Sequence, residues 1–428
     1  MGWTTDNNLL YLDGLYMNYT LRPYQQEASD IAVKLLKNSD KPFVIQAATG
    51  AGKSLIIADI CHKLDAPVLI LQPSKEILEQ NYNKLKSYGI DDISIYSASL
   101  KSKEIAKYTY ATIGSIYKKP ELFSNFEYVI IDECHGVNPR NQMGMLTSFL
   151  KAIGCNKVCG LTATPYRIVQ KYVTEGNQLY YTATLKMINR IHPFFFKKIA
   201  YKIETISLIE AGYLSPIEYF IDNVDTSGLK PNSTGADFTS ESLEKFWNNK
   251  RLRRIAQAIE YSDKNNKRSL VFCSSIRQAT NALQLIEALE IRAAMVTGKT
   301  PMKEREQIIS DFRSGKLKHL LNVGVFTTGF DVPELDCVIL ARPTMSLALY
   351  YQMVGRGVRL DPNDPSKILK VYDLAGVVEK LGRVETIRVK TEDGGFRDEV
   401  WTEAGRADEC RLFKFFVKNR EKFKKKEE

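Results

Sequence analysis

The octapeptide Ala47-Ala48-Thr49-Gly50-Ala51-Gly52-Lys53-Ser54 is the stretch of this chain that decides its predicted fold. It follows an apolar run at 43–46 that predicts a buried strand, and it leads into a predicted helix at 52–64. Glycines let the backbone of such a loop curl until successive N–H groups face a bound phosphate, and the N-terminus of the following helix favours negative charge. We therefore expect Lys53 to reach the β- and γ-phosphates of a nucleotide and the Ser54 hydroxyl to bind Mg²⁺, although alanine replaces the first glycine of the strict pattern.

A pair of carboxylates ends another predicted strand. Residues 128–131 form a short apolar run, and Asp132 and Glu133 follow it directly, ahead of Cys134 and His135. The carboxyl ends of parallel strands are where α/β sheets bind ligands. We expect Asp132 to hold Mg²⁺, directly or through water, and Glu133 to orient and deprotonate the attacking water. An ordinary pair of surface acids is the alternative, and the buried strand and the phosphate loop argue against it.

Short apolar runs alternate with longer amphipathic stretches in two parts of the chain. In the first part, the predicted strands lie at 43–46, 68–71, 128–131 and 158–161, and the predicted helices at 52–64, 74–87 and 142–152. In the second part, the predicted strands lie at 269–273, 293–296, 320–323 and 337–340, and the predicted helices at 276–289 and 302–314. This alternation predicts an α/β protein with two units, each a mostly parallel sheet with helices on both faces. A connector near 190–215 joins the units, and the polar residues 222–240 predict a loop or an insertion.

Two arginines in the second unit suit the same nucleotide. Arg356 and Arg359 lie three residues apart within Gln352-Met353-Val354-Gly355-Arg356-Gly357-Val358-Arg359. On a helix this spacing places both side chains on one face, and a guanidinium can bind phosphate oxygens with two parallel hydrogen bonds. Phosphoryl transfer needs positive charge near the γ-phosphoryl group more than it needs covalent work from the protein. The pair is therefore a candidate for that task, with a solvated basic helix face as the alternative.

Composition and charge exclude several classes of protein. The chain has 428 residues, 44% hydrophobic and 26% charged, which is ordinary for a soluble globular protein and unlike a disordered or collagen-like chain. No apolar run is as long as a membrane span, and the first residues lack a secretory leader, so we expect a cytoplasmic protein without a membrane partner. The net charge of +10 suits a polyanion. Residues 411–428 carry eight Lys/Arg and three Glu, a net +5, and predict either a frayed helix or an arm that contacts a polyanion.

Taken together, these motifs resemble those of a superfamily 2 helicase or translocase of the DExH type with two RecA-like domains. The matching segments are, in chain order, 21–25, 47–54, 71–76, 111–115, 132–135, 161–165, 271–275, 327–333 and 352–359. The resemblance implies a RecA-like helicase ATP-binding domain at 15–200, a RecA-like helicase C-terminal domain at 206–377 and a basic extension at 378–428. It also implies ATP and Mg²⁺ as cofactors.

The same resemblance implies a role for individual residues. The implied nucleotide-binding residues are Arg22, Gln25, Thr49, Gly50, Ala51, Gly52, Lys53, Ser54, Gly329, Asp331 and Gln352, with Gln25 as the reader of the base. The implied catalytic residues are Lys53, Asp132, Glu133, Arg356 and Arg359, and the implied Mg²⁺ ligands are Ser54 and Asp132. The implied nucleic-acid contacts are Ser74, Thr112, Thr297, Lys299 and Thr328. Serine and threonine also cap helices and close turns, so a purely structural role is the alternative for each of them. Thr162 and Thr164 are implied to couple hydrolysis to movement, with hydrogen bonding inside their own loop as the alternative.

A closer likeness is to the RadD-type bacterial DNA-repair helicases. The segments that carry it are 209–216, 322–331, 342–344 and 352–357. That group has a cysteine-rich zinc region after the helicase core, whereas here only Cys410 follows Cys337. The likeness therefore implies a bare motor core of phage or bacterial type, and it does not extend to functions that need the zinc region.

These observations predict a DNA-stimulated ATPase whose nucleotide lies between two lobes. A nucleic acid strand bound across the lobes would be gripped through its phosphates and released once per hydrolysis cycle. The predicted function is a DNA helicase or translocase acting on single-stranded or branched DNA in repair, recombination or replication. The alternatives are an RNA helicase, the motor subunit of a restriction or defence complex, and a nucleic-acid clamp with an inactive ATP site. DNA is the favoured partner over RNA, a monomer is expected, and the sequence identifies no protein partner.

Overall fold

The computed structural model of the chain describes residues 19–137, 142–175, 178–232, 237–326, 332–391, 398–402, 405–406 and 414–416. The chain divides into two compact units, one made of residues 1–45 and 52–161 and the other of residues 46–51 and 162–428. The phosphate loop is thus shared between them, because Thr49 to Ala51 group with the second unit and Gly52 to Ser54 with the first. The domain boundaries inferred from the sequence, at 200 and 377, stay a prediction.

Helices and strands alternate through most of the described residues. The α-helices are α1 (Pro23–Asn38), α2 (Lys53–Leu64), α3 (Lys75–Ser87), α4 (Ile113–Ile116), α5 (Gln142–Ala152), α6 (Thr205–Glu210), α7 (Ser240–Phe246), α8 (Asn249–Lys264), α9 (Ile276–Glu287), α10 (Met302–Arg313), α11 (Leu347–Val354) and α12 (Val377–Leu381). The strands are β1 (Phe43–Ala47), β2 (Val68–Leu71), β3 (Ile93–Ser97), β4 (Ser102–Lys103), β5 (Tyr108–Ala111), β6 (Tyr128–Ile131), β7 (Val158–Thr162), β8 (Tyr166–Glu175), β9 (Gln178–Met187), β10 (Lys198–Ile203), β11 (Ile217–Ile221), β12 (Ser269–Cys273), β13 (Ala293–Thr297), β14 (His319–Val323), β15 (Cys337–Ala341), β16 (Leu369–Asp373), β17 (Arg388–Thr391), β18 (Asp398–Thr402), β19 (Gly405–Arg406) and β20 (Lys414–Phe416). Short 3-10 helices lie at Pro120–Phe123, Cys134–Gly136, Ile188–Arg190 and Val384–Thr386. Within the described part of the chain, every helix is too short or too polar to span a bilayer.

The first large sheet has the strand order β10-β1-β7-β6-β2-β5-β3-β4. Its central pairs are parallel: β2 with β5 and β6, β6 with β7, and β3 with β5, whereas β4 runs antiparallel to β3. Every residue of β1, β2, β6 and β7 is buried, which is the pattern of strands covered on both faces. The four strands predicted for this part of the chain are therefore confirmed.

The second large sheet is parallel throughout, in the order β11-β16-β15-β12-β14-β13. β12 lies at its centre, with Ser269 level with His319 on one side and Cys337 on the other. Ser275 and Ser346 precede helices α9 and α11 and cap them, because their hydroxyls accept the backbone N–H of Gln278 and Leu349. The second predicted alternation of strands and helices is confirmed as well.

Two smaller antiparallel sheets lie outside the predicted alternation. β8 and β9 form a long hairpin where the apolar periodicity stops, and β17, β18 and β19 form a three-stranded sheet. One prediction for residues 411–428 was a frayed helix. This prediction is wrong at Lys414–Phe416, which form strand β20 and pair with Tyr180 to Thr182 of β9. Adjacent aromatic residues favour a strand, and an available strand edge satisfies the backbone donors and acceptors that a short helix would leave unpaired. The rest of that tail lies outside the described residues.

A buried lysine holds together the loops at one end of the second sheet. Lys367 is 3% exposed, and its ammonium group donates to the carbonyl oxygens of Pro333, Gly357 and Arg359 at 2.6, 2.9 and 2.7 Å. Burial lowers the pKa of Lys367 to about 8, so the side chain is still mainly charged at pH 7 and carries three donors. Each donor has one acceptor, so the segment that carries the two predicted arginines is tied to the loop before β15.

Replacing Lys367 with Met should destabilise the protein, because three buried carbonyl oxygens would lose their donor. We expect a loss of about 1–3 kcal/mol in the free energy of unfolding at pH 7, measured by denaturant titration. Lys303→Met, at an exposed position of α10, is the matched control and should change stability little. Equal stability of the two variants would contradict the role assigned to Lys367.

Candidate active site

The phosphate loop has the backbone that its glycines predict. Gly50 and Gly52 have φ values of +88° and +82°, in the left-handed region that favours glycine, and α2 begins immediately afterwards at Lys53. The N–H of Ala51 donates to the carbonyl of Ala48 at 3.0 Å, and the N–H of Leu55 donates to that of Gly52 at 2.9 Å. A tight turn thus feeds directly into a helix, which is the geometry of an anion-binding loop.

The two predicted acidic residues stand at the end of β6 beside this helix. Lys53 Nζ lies 3.1 Å from Glu133 Oε1, and His135 Nδ1 lies 3.3 Å from Glu133 Oε2. Glu133 has φ +45°, an uncommon value for a non-glycine residue and a feature often found at functional sites. Its backbone N–H donates to Asp132 Oδ1 at 2.9 Å. The structure therefore brings Lys53, Asp132 and Glu133 together, as the sequence predicted.

Neighbouring charges drive the two carboxylates toward different protonation behaviour. Burial, and then the negative charge of Glu133, raises the pKa of Asp132 to about 6. Burial also raises the pKa of Glu133, but the charge of Lys53 and the hydrogen bond and charge of His135 outweigh it and hold that pKa well below its usual range. Glu133 is therefore ionised at neutral pH, whereas Asp132 loses its charge under mildly acidic conditions.

An asparagine that the sequence interpretation missed links the predicted metal ligands. Ser54 Oγ donates to Asn81 Oδ1 at 2.9 Å, and Asn81 Nδ2 donates to Asp132 Oδ2 at 3.0 Å and to Gln72 Oε1 at 3.2 Å. Asn81 lies on α3 between the buried Leu78 and Leu85, at helical spacings of three and four residues. A polar residue on the apolar stripe of an amphipathic helix was the one sequence signal that could have revealed it.

The oxygen ligands at this site fit Mg²⁺. Mg²⁺ keeps several waters and is usually held by one or two protein oxygens together with substrate phosphates, so a hydroxyl and a carboxylate beside a phosphate loop are sufficient. Ser54 and Asp132 supply these two oxygens. Among the described residues there is no group of three or more His, Cys, Asp or Glu side chains that could hold a metal by itself.

The predicted base reader contacts the phosphate loop. Gln25 is buried near the start of α1, and its Oε1 accepts the backbone N–H of Arg22 at 2.9 Å. A Cβ atom at position 52 would lie 2.4 Å from Gln25 Nε2, so glycine is required there for this close approach. The Arg22 guanidinium donates to the Tyr24 hydroxyl at 3.2 Å. Gln25 thus lies against the loop, and the backbone N–H of Arg22 holds its side-chain oxygen.

Within the second unit, the loop residues 46–51 lie against the segment with the two predicted arginines. A Cβ atom at Gly355 would lie 2.6 Å from Thr49 Cβ, and one at Gly50 would lie 3.7 Å from Arg359 Cγ. Arg356 Nε donates to the carbonyl of Gln352 at 3.3 Å. Glycine at 355 therefore permits an approach to Thr49 that a side chain would prevent, and the stem of Arg359 lies beside Gly50.

The predicted nucleic-acid contacts make local hydrogen bonds. Ser74 Oγ accepts the N–H of Ile77 and caps α3, and the Thr112 hydroxyl lies 2.9 Å from that of Ser115. Thr297 Oγ1 accepts the N–H of Lys299 at 3.1 Å. These are the structural roles that were the alternative for these residues, while the Lys299 side chain is exposed. Contact with nucleic acid stays a prediction for all of them.

The coupling pair is buried in its own loop. Thr162 Oγ1 accepts the N–H of Thr164 at 3.0 Å, and the Thr164 hydroxyl is buried without a hydrogen-bond partner in the described part of the chain. The hydrogen bond within the loop is therefore present, and the coupling role stays a prediction. The remaining predicted residues, Thr328, Gly329 and Asp331, lie outside the described residues.

Two family models match the chain, one in each of its two α/β parts. The model for the type III restriction enzyme res subunit matches residues 18–167, and the model for the helicase conserved C-terminal domain matches residues 250–361. IRC3 of Saccharomyces cerevisiae is 26% identical over 81% of this chain and 50% of its own length. Its name describes an ATP-dependent helicase whose activity is inferred. A 51.5 kDa protein of a Lactococcus phage is 24% identical over 74% of this chain and 62% of its own.

Solved structures share the fold at low sequence identity. The DNA-bound type ISP restriction-modification enzyme LlaBIII superposes with a TM-score of 0.61 at 17% identity, over 83% of this chain and 28% of that one. Saccharomyces cerevisiae Dbp5, bound to RNA and ADP BeF3, gives a TM-score of 0.54 at 13% identity over 82% of both chains. The matches confirm the predicted fold of two RecA-like helicase domains and support a superfamily 2 helicase. The chain spans 50% of the length of IRC3 and 62% of the length of the phage protein.

The raised pKa of Asp132 predicts a pH dependence for metal binding. Below about pH 6 the carboxyl is protonated and cannot serve as a ligand, so Mg²⁺-dependent nucleotide binding should weaken by roughly tenfold per pH unit. The measurement is the affinity for a fluorescent ATP analogue with Mg²⁺ and with EDTA at pH 5 and pH 7. Each value is corrected for the Mg²⁺ affinity of the free analogue at that pH. An equal contribution of Mg²⁺ at both pH values would count against Asp132 as a ligand.

Proposed function

We propose that this chain is the motor of an ATP-dependent DNA helicase or translocase of the DExH type. The observation that carries the proposal is the convergence of Lys53, Ser54, Asp132 and Glu133 beside one phosphate loop. A loop, a cation, a hydroxyl and two carboxylates in this arrangement suit the hydrolysis of a nucleoside triphosphate. The two helicase domain matches support a motor as the use of that hydrolysis.

Each residue of the first unit has a distinct task in this proposal. Ser54 and Asp132 would hold Mg²⁺, which would supply positive charge beside the phosphates of the nucleotide. Lys53, which pairs with Glu133 in this structure, would bind the γ-phosphate when a nucleotide enters. Glu133 Oε1 would then be free to accept a hydrogen bond from the attacking water, for which Glu133 is the proposed general base.

The arginines of the second unit complete the proposed chemistry. Arg356 and Arg359 would place positive charge on the γ-phosphoryl group as it transfers, in the manner of arginine fingers. The position of the Arg359 stem, whose Cγ would lie 3.7 Å from a Cβ atom added at Gly50, supports this assignment. Gln25, which lies against Gly52, would read the base and relay its presence to the phosphate loop.

DNA is the proposed nucleic acid. The fold does not discriminate, because one solved structure with this fold is bound to DNA and another to RNA. The likeness of residues 322–331 and 352–357 to the RadD-type DNA-repair helicases favours DNA, and it supports single-stranded or branched DNA as the proposed substrate. The net charge of +10 suits contacts with phosphates that do not depend on base sequence.

A second candidate is the motor of a restriction or defence complex. The family model that matches residues 18–167 describes the res subunit of type III restriction enzymes, and LlaBIII is a restriction-modification enzyme. In this case the chain would move along DNA on behalf of a separate nuclease. DNA cutting that requires both this chain and an added partner would favour this candidate over the first.

Stimulation of ATP hydrolysis by nucleic acid tests the proposal. We expect forked and single-stranded DNA to raise the ATPase rate of the purified chain more than RNA does, and Lys53→Ala to lower that rate by about 10²-fold or more. Lys86→Ala, an exposed lysine on α3, is the control and should retain activity. An ATPase rate that no nucleic acid changes would refute a nucleic-acid motor, and stronger stimulation by RNA would make it an RNA helicase.

Arg356→Ala separates catalysis from nucleotide binding. We expect turnover to fall by about 10³-fold or more, because the arginine acts on charge that develops only in the transition state. Binding of a fluorescent ATP analogue should remain close to that of the unmodified protein. Arg292→Ala, at an exposed position of the same unit, serves as the control. Normal turnover of Arg356→Ala would show that this guanidinium has no catalytic task.

A further inference from the structure

We propose that Asn81 is a positioning residue for the Mg²⁺ of the nucleotide site. Its side-chain oxygen accepts a hydrogen bond from the Ser54 hydroxyl, and its side-chain nitrogen donates one to an oxygen of Asp132. The remaining lone pairs of both ligands are then available to the metal. This inference rests on the proposed function, since it concerns the metal that accompanies the nucleotide.

The direction of each hydrogen bond around Asn81 is fixed by chemistry. An ionised Asp132 can only accept, so the amide nitrogen of Asn81 must face it, at 3.0 Å. The amide oxygen then faces Ser54 at 2.9 Å, and the hydroxyl must donate its only proton there. The second amide hydrogen goes to Gln72 Oε1 at 3.2 Å. The three contacts are mutually consistent in one amide orientation.

Gln72 holds Asn81 in that orientation. Gln72 follows β2, is 4% exposed, and its backbone N–H donates to the carbonyl oxygen of Ala111 at 2.8 Å. The backbone of Asn81 is fixed within α3, because Leu78 and Leu85 on the same side of this helix are buried. The asparagine therefore has little freedom to turn away from Ser54 and Asp132.

This arrangement matters for a hydroxyl ligand in particular. A serine hydroxyl coordinates Mg²⁺ through an oxygen lone pair, and its proton must then point away from the metal toward an acceptor. Asn81 Oδ1 is that acceptor. Hydrogen bonds of this kind orient metal ligands, and their loss typically lowers metal affinity by about 10–100-fold. The substitution Asn81→Leu would keep the size of the side chain but would remove both the acceptor for Ser54 and the donor for Asp132.

The test measures metal affinity rather than turnover. The purified chain is mixed with a fluorescent ATP analogue at fixed concentration, and Mg²⁺ is titrated while binding is followed by fluorescence. We expect Asn81→Leu and Asn81→Ala each to raise the Mg²⁺ concentration at half-saturation by about 10–100-fold. Nucleotide binding in EDTA should stay at the value of the unmodified protein, because Asn81 acts only through the metal ligands.

A second asparagine on the same helix provides the matched control. Asn83 is exposed on α3, two residues from Asn81, so Asn83→Leu should leave the Mg²⁺ titration unchanged. In a Ser54→Ala background the effect of Asn81→Leu should shrink, because one of the two ligands through which it acts is gone. Full additivity of the two substitutions would show that Asn81 does not act through Ser54 and would overturn the inference.

Two further results would reject the inference and leave the proposed function intact. One is an unchanged Mg²⁺ titration in the Asn81 variants. The other is an equal loss of nucleotide binding in EDTA and in Mg²⁺, which would mean that Asn81 only supports the fold of the site. If the unmodified protein binds no nucleotide with or without Mg²⁺, the proposed function fails together with the inference.

Discussion

Two adjacent carboxylates at the end of one strand, Asp132 buried and Glu133 half-buried, are the constraint on which the candidate site depends. A buried charge is tolerated only when it is paired or hydrogen-bonded, and two neighbouring carboxylates also repel each other. Glu133 is compensated by Lys53 and His135, whereas Asp132 receives hydrogen bonds from Asn81 and from the Glu133 backbone. The phosphate loop, the start of α2 and the middle of α3 are therefore tied to the end of β6 by the same electrostatic requirement.

The second unit meets a comparable requirement with a cation. Lys367 is buried, and three backbone carbonyl oxygens surround its ammonium group. Gly357 and Arg359, two of the residues that provide those oxygens, belong to the segment with the predicted arginines. In each unit, then, a charged group with little exposure fixes loops at an edge of a parallel sheet. That edge is the carboxyl end of β6 in the first unit, where such sheets bind ligands, and the amino ends of β15 and β16 in the second.

The structure agrees best with the sequence-based predictions where a local pattern of residue types dictates the conformation or the burial of a segment. Gly50 and Gly52 adopt the positive φ values that the loop pattern implied, and the continuous apolar runs of β1, β2, β6, β7, β12 and β15 are buried at every residue. β3 and β5 gave no such signal, because serine, threonine and tyrosine interrupt their apolar residues, although both lie inside the sheet. The tail strand β20 could not be predicted either, since it depends on pairing with β9, far away in the sequence.

The sequence alone determined the phosphate loop, the acidic strand end, the two α/β alternations and the class of motor that they resemble, because these features arise from short-range spacing. Only the tertiary structure decided which polar side chains complete the site. Asn81 lies 27 residues from Ser54 and 51 from Asp132, and Lys367 lies 34 from Pro333. Such partners are chosen by how helices and loops pack onto the sheet edge, and periodicity along the chain carries no record of that packing.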